Sequence, residues 1–166
     1  MREPTGVVIE SYAGQSADLI FDLILPIQRE EFGLPVRRED QPDLEQIPGF
    51  YQTGQGGFWL AKAGDELVGS IALKDIGDGQ VALRKMFVRA DFRGGAHGVA
   101  NRLLDAALSW SRDKAVTAVY LGTTPFFHAA HRFYEKNGFT EIAKSELPQS
   151  FPIMSVDTKF YRLRLG

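Results

Sequence analysis

A chain of 166 residues, 44% apolar and 24% charged, suits one soluble domain with one core, taken as residues 1–166. Its formal net charge of −2 leaves no global field to recruit nucleic acid or an anionic membrane. The absence of cysteine removes disulfides, zinc–thiolate centres and a cysteine nucleophile together, and fits a reducing cytoplasm.

The opening MREPTGVVIESYAG has acidic residues and only a short apolar run, so it is not expected to act as a signal peptide. No apolar stretch approaches the roughly 18 residues of a membrane-spanning helix. Val7, Val8, Ile9 and Tyr12 suggest a first strand over 6–12. Ser16 is placed to cap a helix in which Leu19, Ile20, Leu23, Ile24 and Ile27 recur at helical spacing. Pro26 should weaken or kink it, because the ring removes a donor and crowds the preceding turn. From Gly33 to Gly56 the chain is rich in Pro, Gly and charge, which predicts a long loop with a short helix near Leu44.

Three strands are predicted over 58–62, 67–74 and 80–88, separated by Gly64-Asp65 and Gly77-Asp78-Gly79, the pattern of an antiparallel meander. Ala100, Leu103, Leu104, Ala107, Leu108 and Ser111 then mark an amphipathic helix. A strand over 116–122 follows. Thr124 and Pro125 should open another helix, and Asn137-Gly138 should stop it. Two strands are expected near 139–143 and 159–165. The order β, α, three β, α, β, α, β, β gives a mixed sheet with helices on its faces, an α/β (α+β) domain.

The segment FRGGAHGVANRLL, from Phe92 to Leu104, sets three glycines between a strand and a helix, with Arg89 and Arg93 just before. Glycine permits left-handed backbone and close approach, so several N–H groups can converge at the positive end of the helix. An anion fits there, a pyrophosphate above all. A plain strand-to-helix turn explains the glycines as well. A dinucleotide fold would put such a loop after the first strand of a βαβ unit, whereas here it follows a meander. No Gly-Lys-Ser/Thr follows, which excludes a P-loop.

A second segment, HRFYEKNGF from His131 to Phe139, reads as a helix end with aromatic anchors. Glycine loop, helix, strand and a helix ending in Tyr-x-x-x-Gly-Phe together resemble the GCN5-related N-acetyltransferase (GNAT) superfamily. The resemblance implies a mostly antiparallel, mixed sheet of six to seven strands with helices on both faces and splayed central parallel strands. It implies acetyl-CoA as acyl donor, no metal, and a small-molecule primary amine as acceptor. A homodimer is compatible with it; nucleic acid and membrane are not expected partners. It places the coenzyme on Phe87, Val88, Arg93, Gly94, Gly95, Ala96, His97, Gly98, Val99, Ala100 and Asn101, and makes Tyr134 the general acid for the departing thiolate. Alternatives are a catalytically silent acyl-CoA-binding or sensing module, and a protein N-terminal or lysine acetyltransferase.

The chain departs from the family pattern in three places. Aligning Gly98-Val99-Ala100 before Leu103-Leu104 leaves Gly95 where Arg or Gln is usual, with Arg93 two residues early. Phe127 stands where an Asn is common seven residues before the tyrosine. The strand VALRKMFV carries no Glu to serve as general base. Asp75, at the end of the second meander strand, is one candidate base; Glu30, Glu31, Asp43, His128, His131 and water are others.

Overall fold

The structure, a computed structural model, describes residues 6–31, 33–94, 98–124, 128–154 and 157–165. Among these residues seven strands form one sheet: β1 (Val7–Ser11), β2 (Gly57–Ala63), β3 (Glu66–Gly77), β4 (Gln80–Val88), β5 (Ala118–Thr123), β6 (Thr140–Ile142) and β7 (Lys159–Arg164), in the order β1-β2-β3-β4-β5-β7-β6. Every neighbouring pair is antiparallel except β4 and β5. The meander and its two glycine turns are as the sequence predicts, although β3 runs to Gly77.

Helix α3 (Val99–Asp113) makes the crossover between the parallel strands β4 and β5. It buries Val99, Leu103, Leu104, Ala107 and Leu108 on one sheet face, against Trp59, Ala61, Ile71, Leu73, Val81 and Leu83. Helix α1 (Ala17–Pro26) and the short α2 (Ile47–Phe50) cover the opposite face through Ile20, Phe21, Ile24, Ile47 and Tyr51, packed on Phe58, Leu60 and Ala72. Alternation along β2 decides the assignment: Trp59 and Ala61 point one way, Phe58 and Leu60 the other. Helix α4 (His128–Lys136) joins the α3 side through Tyr134.

Ser16 caps α1 as expected, its Oγ accepting the Asp18 N–H at 3.1 Å. Pro26 does not break the chain direction; α1 ends there and continues as a π-helical turn, Ile27–Glu31. Leu19 is 47% exposed, and Phe21 takes the buried place the spacing assigns to it. The expected opening of α4 at Thr124-Pro125 reaches into 125–127, outside the described residues.

The pairing of β3 with β4 is irregular beside the parallel strands. Between Ser70↔Phe87 and Ala72↔Arg84, β4 has one more residue than β3. This is a β-bulge, and Lys85 sits in it with φ 53°, an angle non-glycine residues seldom adopt. The Ser70 hydroxyl donates to the Lys85 carbonyl at 2.7 Å and pins the distortion.

Candidate active site

The parallel strands pair only over Gln80↔Ala118, Val81↔Val119 and Ala82↔Tyr120. Beyond Ala82 and Tyr120 they part: β4 stays with β3 as far as Val88, and β5 stays with β7 as far as Thr123. The split exposes strand edges inside the sheet rather than at its margin, so an extended ligand can enter between them.

Tyr134 reaches this region from α4. Its ring lies 6.1 Å from that of Tyr161, and Tyr161 pairs with Leu121, one residue past the last β4–β5 pair. The helix end holds it in place through a complete Schellman motif. The Phe139 N–H donates to the Tyr134 carbonyl at 3.0 Å, the Gly138 N–H donates to the Glu135 carbonyl at 3.2 Å, and Gly138 takes φ 92°. Tyr134 is only 6% exposed, and burial pushes its phenol above the ordinary value. Its hydroxyl makes no hydrogen bond among the described residues.

Across the cleft, Gly98 precedes α3 in the left-handed region with φ 60°, and no described side chain caps the helix. The N–H groups of its first turn are therefore open to an anion. Gly94 is also left-handed, φ 100°, while Gly95, Ala96 and His97 lie outside the described residues. Val99 is buried under α3; Ala100 is partly buried and Asn101 exposed. One turn further on, Arg102 keeps a buried Nη1 without a hydrogen-bond partner among the described residues. Arg93 does not point outward alone: its Nε donates to the Val88 carbonyl at 2.8 Å, and its guanidinium pairs with Glu31. Phe87 and Val88 end β4 beside it, with Val88 buried.

Asp75 lies near the end of β3, the second meander strand, as the sequence predicts. It faces Val81, at the closed end of the β4–β5 pair. Its Oδ2 accepts the Gln55 N–H at 2.9 Å and its Oδ1 the Gly77 N–H at 2.8 Å. Both its oxygens are thus held by backbone donors of the neighbouring turns. Glu31 is committed to Arg93. His131 is buried, and its Nε2–H donates to the Thr124 carbonyl at 2.7 Å. The side chain of His128 and the whole of Phe127 lie outside the described residues.

Asp43 belongs to a buried polar cluster on the α2 side. It accepts the Tyr51 hydroxyl at 2.5 Å and lies 3.5 Å from Lys85 Nζ, which itself donates to Gln41 at 2.7 Å. Gln41 and Gln28 exchange amide hydrogen bonds at 2.9 and 3.0 Å. Burial lowers the Lys85 ammonium and the Asp43 charge opposes that.

Two residues that no motif singles out, Arg84 and Asp157, also face this side. Arg84 follows Leu83 in β4 and stacks 5.8 Å from the Phe50 ring centre. Asp157 lies against Gly122 of β5: a Cβ there would come within 2.6 Å of its Oδ2. Burial raises its carboxyl above the ordinary value, while the Met154 N–H and the Arg84 charge act the other way.

The model of the Acetyltransferase (GNAT) family matches residues 21–139. N-acetylaspartate synthetase of Danio rerio is 34% identical over 106 residues, which are 63% of this chain and 37% of that protein's length. A GNAT-family acetyltransferase crystal structure from Staphylococcus aureus is 37% identical, covers 96% of this chain and 99% of its own, and superposes with a TM-score of 0.91. PaiA N-acetyltransferase of Thermoplasma acidophilum, crystallised in complex with coenzyme A, shares the fold at a TM-score of 0.75 and 15% identity, over 96% of this chain and 99% of its own.

Proposed function

The chain belongs to the Acetyltransferase (GNAT) family, and on that premise we propose that it moves an acetyl group from acetyl-CoA to a small primary amine by direct attack. The observation that carries this reading is the parting of β4 from β5 beyond Ala82 and Tyr120, with Tyr134 on one side and the uncapped start of α3 on the other. A neighbour of the same fold crystallised with coenzyme A supports the donor.

Acetyl-CoA supplies an activated acyl carbon. The Gly98 end of α3 would take its pyrophosphate, and the partly buried Arg102, whose Nη1 has no hydrogen-bond partner among the described residues, brings a cation to the same helix. The outer half of β4, at Phe87 and Val88, would align the arm that carries the thioester and polarise its carbonyl through backbone N–H groups. Tyr134 would donate to the sulfur as the carbon–sulfur bond breaks. Burial keeps its proton on throughout neutral pH, so it stays a donor.

The test is thermal unfolding with acetyl-CoA, CoA and NAD, followed by thiol release over a panel of amines. Stabilisation by the two coenzyme A species and not by NAD is expected. Stabilisation by NAD alone overturns the reading, and CoA binding without thiol release on any amine would mark a silent binding module.

A further inference from the structure

Most of the charged side chains that line the α2 side of the sheet are paired. Lys85 meets Asp43, and Arg38 meets both Asp18 and Glu45. Arg84 and Lys74 are different. Both are half-buried, both lie over the Phe50 ring, at 5.8 and 4.4 Å, and neither forms an ion pair among the described residues. Arg84 meets only a soft acceptor among them, the Met154 sulfur, 3.9 Å from Nη2. A half-buried guanidinium has five donors, and with no described oxygen to receive them it is a site for an anion.

Asp157 supplies the opposite charge on the same face. Gly122 follows Leu121, which points to α3, so the Gly122 face that carries Asp157 is the face of Arg84. The carboxylate is partly buried against Gly122 and the Phe160 ring. It forms no ion pair with Arg84, although the two charges act on one another. Lys159, two residues on, is committed to Glu141. Arg84 stands on β4 and Gly122 on β5, each beyond the last paired residue of its strand. The cation and the anion thus flank the gap from its two sides.

We propose that Arg84 and Asp157 form a two-point clamp for an amine that carries a carboxylate, an amino acid, with Arg84 holding the carboxylate and Asp157 receiving the ammonium. The clamp rests on the acetyl-transfer reading and narrows its acceptor. Asp157 takes one proton from the ammonium, and the freed nitrogen lone pair forms the bond to the acyl carbon. The carbon–sulfur bond breaks and the sulfur takes a proton from Tyr134. The nitrogen's second surplus proton restores Tyr134, and Asp157 releases its own to solvent. The products are the N-acetyl amino acid, free thiol and one proton. Lys74 adds to the positive side of the clamp and suits an acceptor with a second acidic group.

The experiment uses the full chain, acetyl-CoA and thiol release over the common amino acids, each beside its carboxamide and its decarboxylated amine. At least one amino acid should exceed its amide and its amine by about 100-fold in kcat/KM. Arg84→Gln should erase that preference, mainly through KM, and Asp157→Asn should lower kcat by about 100-fold. Acetyl-CoA should stabilise both variants as it does the native chain, which also shows that they fold. If acetyl-CoA stabilises the native chain and no amino acid is acetylated, or if amines without a carboxylate do as well, the clamp is wrong while acetyl transfer stands. If acetyl-CoA does not bind, it is the transfer reading that fails.

Discussion

The carbonyl of Tyr134 accepts the N–H of Phe139 at 3.0 Å, and the two rings pack 5.5 Å apart, edge to face. The residue proposed to meet the thioester is thereby locked by the residue that follows its own helix stop. Tyr134→Phe keeps the packing and loses only the hydroxyl. It should cut turnover by about 100-fold or more, with acetyl-CoA affinity unchanged within about two-fold. Steady-state kinetics beside calorimetric titration checks this, and unchanged turnover removes Tyr134 from the chemistry.

Gly138→Ala probes the same lock without touching the hydroxyl. An added Cβ would meet Leu163 at 3.5 Å, an ordinary contact, so the cost is the φ of 92° alone. That strain is about 1–2 kcal/mol. The expected result is a lower melting temperature at nearly native acetyl-CoA affinity.

Asp75→Ala should act on stability and leave catalysis alone. It strands the part-buried Gln55 N–H, at a cost of up to about 1–3 kcal/mol, while the exposed Gly77 N–H passes to water. The melting temperature should fall, and kcat per folded molecule should not. A large loss of kcat in a folded Asp75→Asn protein would return Asp75 to the mechanism.

Lys85 and Asp43 face one another at 3.5 Å with side chains 10% and 9% exposed. Removing one charge from such a pair strands the other, at a cost of about 3–5 kcal/mol. Lys85→Met alone should therefore unfold at markedly lower denaturant than the native chain. Adding Asp43→Asn should recover part of that loss, and a double-mutant cycle on urea midpoints measures the coupling.

Asp157 gives a prediction with a definite sign. Burial raises its carboxyl above the ordinary 3.8, so the folded chain binds this proton more tightly than the unfolded chain does. The contribution is favourable below the unfolded value and is lost as pH rises through the folded one. Asp157→Asn removes the charge that burial penalises. Its melting temperature should exceed the native one at pH 7 to 8, by a margin that shrinks toward pH 4. A stability gain that accompanies a loss of turnover is the mark of a group kept for function.

Much of the fold is legible in local signals, because the features that build it are local. The limits of β4 follow from β-favoured residues between a glycine turn and an arginine, and the stop of α4 from Asn137-Gly138. Tyr134 is legible the same way, through a short motif. Asp157 is not. Its neighbours in PIMSVDT have neither helical nor strand periodicity, and its partner surface, Gly122, lies 35 residues earlier in the chain. Arg84 escapes notice because a charge within a strand looks like a solvated face until Phe50, from the far side of a long loop, is set against it. Asp75 is legible only in part, for a related reason. Its position at a strand end is legible, while the two N–H groups that claim it come from turns whose approach no spacing shows.

The extra residue at Lys85 inverts the parity of β4. Before it, odd-numbered side chains such as Val81 and Leu83 face α3; after it, even-numbered ones such as Met86 and Val88 do. Arg84 and Lys85, adjacent in sequence, are left on the same side, where a regular strand would send them apart. With Lys85 kept and the strand regular, Met86 would turn toward Phe50 and Phe87 toward α3; deleting Lys85 would instead remove the bulge and leave both on the sides they now occupy. Lys85 is thus an insertion that adds one side chain to the α2 side of the sheet and leaves the residues beyond it in register.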